Sequence, residues 1–165
     1  MEDKVTLFGN IAHNIAGVID EQEARKLYLD ECVGIIEHDY RWVETDIKLN
    51  REKELVSALG CLAEMSMMGY MIATKSNSVN ALANQMTDLY ARKNRDYGNS
   101  FDKSMDKFGL VVAAIRIGDK VNRLQSLVAK RGEAEVKDES LADTFMDLAC
   151  YSIMTMLWLH DKKEK

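Results

Sequence analysis

Glu139, Asp143 and Asp147 recur every four residues, and Tyr151 follows at the same interval. On an α-helix each such step rotates by only about 40°, so the three carboxylates form one stripe. Leu141, Phe145, Leu148 and Ser152 fall on the opposite side, where a core would lie. Like charges at this spacing repel by about 0.2–0.5 kcal/mol per pair. A cation among them would remove that cost, and Mg²⁺ takes such oxygen ligands together with substrate phosphates. A solvated acidic face near a helix N-terminus, favoured by the helix dipole, presents the same pattern.

Two further groups complement the acids. Arg116, Lys120 and Arg123 share one helix face, with Asp119 beside them and spaced to pair with Arg123. This is either a salt-bridged solvated face or a phosphate grip with Asp119 turned towards the carboxylates. The run KNRDYGNS, Lys93–Ser100, joins a cation, an amide, a carboxylate, a phenol and a glycine. Tyr97 can stack on a base there, and Gly98 lets backbone approach a ligand closely. The same run also reads as an ordinary helix C-terminus with cations in its last turn.

The elements that must position these residues are helical. The chain of 165 residues contains no proline, is 47% hydrophobic and 30% charged, and so lacks the usual punctuation of β-rich folds. An all-α bundle of about six helices is expected from the apolar spacing. Helices are predicted over 5–19, from a cap at Asp20 to Asn50, over 51–73, 81–95, 108–130 and 139–160. Gly132 is the expected stop of the fifth, and Asp138 the cap of the last. Residues 75–80 (KSNSVN) form a linker. Residues 1–76 therefore read as a helical extension or dimerisation region, and 77–165 as the unit carrying the site. Met65–Met71 holds four methionines, and an oligomer seam is favoured for it over core.

Other classes find little support. Cys32, Cys61 and Cys150 are dispersed, without CxxC, and read as reduced, buried thiols. The start, MEDKVTLFGN, lacks the basic end and apolar run of a signal peptide, and Leu148–Leu159 is too short to span a bilayer, so a cytoplasmic protein without membrane attachment is expected. Residues 92–131 hold ten basic residues against four aspartates, a surplus of +6 in a chain of net charge −5. That island suits a compact anion such as a phosphate better than a long nucleic acid. No P-loop, GxGxxG, GxSxG or HExxH is present, and His13, His38 and His160 stand alone.

The ordered series ARKNRDYGNSF, AAIRIGDKVNRL and DESLADTFMDLACY resembles the nucleotide modification associated domain 1 family, small helical proteins common in bacteriophages, over residues 82–159. That family looks like a relative of the MazG-type all-α nucleotide pyrophosphatases and dimeric dUTPases. The resemblance implies Mg²⁺ held by Asp119, Glu139, Asp143 and Asp147, which would also be the catalytic acids. It implies a nucleotide bound by Lys93, Asn94, Asp96, Tyr97, Arg116, Lys120, Arg123 and Tyr151. The paired-glutamate ExxE helix of MazG-type enzymes has no clear counterpart, and Thr144 stands where a second acid would precede Asp147.

Three functions follow as expectations. The first is a Mg²⁺-dependent nucleoside triphosphate pyrophosphohydrolase of nucleotide metabolism or modification, phage-associated and homodimeric or a higher homo-oligomer. The second is a module that binds or sequesters a nucleotide without turning it over. The third is a helical protein-interaction factor working through the first 80 residues.

Overall fold

The computed structural model describes residues 3–130 and 140–163, and among them every regular element is an α-helix. In chain order these are α1 (Lys4–Ala16), α2 (Glu21–Ala24), α3 (Leu29–Lys48), α4 (Glu52–Thr74), α5 (Val79–Asp96), α6 (Ser100–Phe108), α7 (Val111–Ala129) and α8 (Leu141–Lys163). The all-α expectation holds, but eight helices replace about six.

Both additions have local causes. Asp20 does cap a helix, accepting from the amides of Gln22 and Glu23, but that helix stops after one turn. The long helix expected from Asp20 is therefore split. Glu31 reaches back to the Tyr28 amide at 2.9 Å and starts α3 afresh, one arm of a capping box. The second addition is α6, which occupies a stretch that the sequence reading left between a turn and a helix. Gly98 and Asn99 (φ 58° and 55°) turn the chain before it, and Gly109 (φ 72°) ends it. Phe101 and Met105, one turn apart, bury its inner face.

At the last helix, Ser140 supplies a cap within the described residues, its hydroxyl accepting from the Asp143 amide at 3.1 Å. The expected cap Asp138 and stop Gly132 lie outside the described residues.

The antiparallel pair α4 and α8 forms the centre. Their direction is fixed by Lys162 on Glu52 at one end and Gly69 against Phe145 at the other. A Cβ at position 69 would lie 2.3 Å from the Phe145 ring, so glycine is what lets the two helices close there. Around this pair run two apolar cores. One joins α1, α4, α5 and α8 through residues such as Phe8, Met67, Leu82, Met86 and Ile153. The other joins α3, α4, α6, α7 and α8 through Ile36, Leu59, Met105, Ile117, Leu124 and Phe145. Fully burying each such side chain contributes about 1.5–3 kcal/mol.

Met67, Met68 and Met71 are buried in the first core, and Met65 is partly buried against both. The methionine run is thus core, correcting its reading as an oligomer seam. Its apolar positions wrap most of the way round α4, and α1, α3, α5 and α8 all pack there. α4 is also the one described helix long and apolar enough to cross a membrane. In the fold its length is spent on α3 and α8.

Candidate functional site

A cleft of about 420 Å³ opens where the C-terminal end of α5, the 97–99 turn, α6, the first half of α7 and the middle of α8 converge. Its volume falls within the range of about 300–1,000 Å³ usual for small-molecule sites. The separate sequence groups meet here. Lys93, Asn94 and Tyr97 come from α5 and its end, Arg116 from α7, and Asp147 and Tyr151 from α8.

Asp147 organises the charged side. One carboxylate oxygen accepts from Lys93 Nζ at 3.2 Å, and the other lies 2.9 Å from Lys120 Nζ, so two cations from different helices share one acid. Burial opposes the Lys93 ammonium, but the charge and hydrogen bond of Asp147 outweigh it and hold its pKa above the ordinary lysine value. Arg116, one turn before Lys120, is exposed at the cleft and makes no ion pair or side-chain hydrogen bond among the described residues. Its guanidinium is the unspent charge of the site. A planar fork of N–H donors of this kind matches a phosphate edge.

Aromatic side chains also line the cleft. Phe101 and Tyr151 lie with ring centroids 5.7 Å apart at 41°, and Tyr97, 70% exposed, stands at the rim. Ser100 adds a hydroxyl from the start of α6. Cys150 lines the floor, where burial first and then the Asp147 charge push its thiol up to about 12. It is a neutral, packed thiol rather than a nucleophile.

The remaining sequence-predicted residues lie elsewhere. Lys120 touches the site through Asp147 without lining the cleft. Asp96 is exposed at the end of α5, and Arg123 is half-buried one turn beyond Lys120, neither of them lining the cleft. Asp119 is exposed on α7, near Tyr40 of α3. The Tyr40 phenol is raised first by burial, then by Glu44 and Asp119. Asp143 faces back along its own helix, accepting from the Ser140 hydroxyl at 2.5 Å and amide at 3.2 Å. Glu139 lies outside the described residues.

The acids therefore do not converge as a Mg²⁺ site within the described chain. No group of three or more carboxylate, histidine or cysteine side chains is placed to hold a metal among the described residues. Asp147 has a lysine on each oxygen, and Asp143 has a capping task.

Ser100 closes the run KNRDYGNS singled out in the sequence, whereas Phe101 was missed because α6 itself was missed. Cys150 and Met154 also line the cleft. They stand three and seven residues after Asp147, so extending its face along α8 is the signal that finds them.

No curated protein and no solved structure matches the chain. A family model does match: residues 93–159 fit Nucleotide modification associated domain 1, a span that begins at Lys93 and contains every cleft residue except Leu89 and Tyr90.

Proposed function

We propose that the cleft is a nucleotide-binding site serving nucleotide modification. The observation that carries this reading is the pairing, in one cavity, of an unspent guanidinium (Arg116) and Lys93 with aromatic side chains, Lys120 adding its charge through Asp147. Phosphate oxygens would take the cationic side, and a base would lie against Tyr97, Phe101 or Tyr151. The matched family description points the same way.

Turnover is a separate question. A MazG-like, Mg²⁺-dependent hydrolase would need Asp147 released from both lysines and further acids, Asp119, Asp143 or Glu139, brought beside it. Asp143, one turn from Asp147 on the same stripe of α8, is the feature that keeps this second reading in view.

Calorimetric titration with deoxynucleotides, with and without Mg²⁺, tests both readings when each mixture is then assayed for released phosphate and pyrophosphate. Saturable binding with the ligand recovered intact supports a binding module. Release of pyrophosphate or phosphate identifies the hydrolase. Absence of any binding contradicts the nucleotide reading and turns attention to the first 80 residues as a protein-docking region.

A further inference from the structure

We propose that the cleft selects a phosphate monoester, a nucleoside 5′-monophosphate in form, takes it as the dianion without a divalent cation, and owes this selectivity to Asp147 as a built-in counter-ion. The inference rests on the nucleotide reading above and specifies its substrate class.

Three cations bear on the cationic side, Lys93, Lys120 and Arg116, against the single carboxylate of Asp147. They leave a net local charge of +2. A phosphate monoester near neutral pH carries about −1.5 to −2, which matches it. A triphosphate tail brings roughly twice that charge, the reason such tails are usually bound with Mg²⁺. The described acids do not supply a place for that ion.

Asp147 does more than subtract one charge. Held between α5 and α7, its two oxygens fix both ammonium groups on one side of the cavity. Arg116, one turn along α7, stays unpaired among the described residues, so an incoming phosphate meets a guanidinium that needs no prior release. Lys93, with its side chain 53% exposed, has room to swing from Asp147 to the ligand. Asp147 is on this account a specificity residue, not a metal ligand, and the two roles predict opposite effects of neutralising it.

The test uses the full chain and three probes, a deoxynucleoside, its 5′-monophosphate and its 5′-triphosphate, titrated in EDTA and again in Mg²⁺. The monophosphate is expected to bind about tenfold or more tighter than the nucleoside, with EDTA and Mg²⁺ giving the same affinity, the phosphate contact being charge-assisted. Arg116→Gln should remove about tenfold of that affinity. Asp147→Asn, which raises the local charge to +3, should keep monophosphate binding and improve triphosphate binding in EDTA by about tenfold.

The outcomes separate cleanly. A triphosphate that binds more tightly than the monophosphate and only with Mg²⁺, and that Asp147→Asn abolishes, overturns this proposal while leaving a nucleotide site in place. No binding of any phosphorylated probe overturns both. Should Asp147→Asn not fold, judged by its thermal melt, the EDTA comparison and Arg116→Gln still decide the matter.

Discussion

The two faces of α6 carry similar side chains to opposite ends. On one face Asp102 is buried and takes Lys4 Nζ, with Asn99 Nδ2 donating at 3.0 Å, while Lys4 also meets Asp161 at 2.5 Å. Asp106 accepts from the Trp158 indole at 2.8 Å on the same side. On the other face, Ser100 and Phe101 look into the cleft, where Lys93 and Lys120 share Asp147 and Arg116 is unspent. The first arrangement ties α1, α6 and α8 together. The second leaves cationic charge over. The two clusters are opposite in sign: one lysine faces two aspartates in the first, and two lysines face one aspartate in the second.

That contrast is broken most severely at Asp102. Asp102→Ala should lower the unfolding free energy by about 2 kcal/mol, less than the roughly 3–5 kcal/mol of a fully buried pair because Lys4 is 36% exposed. Urea denaturation measures this. The same variant should retain nucleotide binding, since no cleft residue is removed.

Arg116→Gln should behave in reverse. Its unfolding free energy should stay within about 0.5 kcal/mol of the parent, as for an exposed position. Its nucleotide affinity should drop about tenfold, corresponding to about 1.4 kcal/mol. A large loss of stability in this variant would return Arg116 to the structural class.

Alkaline pH sharpens the comparison further. Burial works against the Lys4 ammonium, but Asp102 and Asp161 overcome it and push its pKa up to about 12. A lysine raised in the fold stabilises fully below its ordinary value of 10.5, and this contribution is lost as pH rises from there to about 12. The buried thiols Cys32 and Cys150, raised by burial from 9.0 to about 12, act in the same direction from a lower onset. Their protonated forms are favoured in the fold, so stability falls once the unfolded thiols ionise above 9.0. Lys4→Met should therefore flatten the decline above pH 10.5 and leave the earlier decline unchanged, as read from urea midpoints across the series.

The smallest effect concerns thiol reactivity. Cys61 is exposed, against the expectation of three buried thiols, and at pH 8 it should be alkylated first, with Cys32 and Cys150 protected until the protein unfolds. Mass spectrometry of iodoacetamide-treated native protein checks the order. Early modification of Cys150 would mean that the cleft floor is open.

The sequence disclosed which residues share a helix face better than which faces meet. Helical spacing was enough to set Arg116 and Lys120 on one stripe and Asp147 and Tyr151 on another, because i, i+4 neighbours share a face whatever the tertiary context. The break after Lys93–Tyr97 was legible because Gly98 marks the left-handed turn, and Lys93, Asn94 and Tyr97 do line the cleft. Which stripes face each other depends on interhelical packing. Asp119 and Asp143 therefore looked as eligible as Asp147, yet one lies near Tyr40 and the other holds Ser140. α6 escaped notice because its nine residues carry only two buried apolar side chains, Phe101 and Met105, between charged neighbours. The methionine run misled for a different reason. Apolar residues on most sides of one helix suggest a surplus to be hidden in a partner, whereas α4 is enclosed by neighbours from the same chain.

The central claim is that the α5–α8 cleft binds a nucleotide through its unspent guanidinium. The most direct measurement is a side-by-side calorimetric titration of the parent chain and Arg116→Gln with deoxynucleoside 5′-phosphates. The account predicts saturable one-to-one binding to the parent, weakened about tenfold in the variant while both melt at the same temperature. Absence of binding to the parent, or equal affinity in the two proteins, would contradict it.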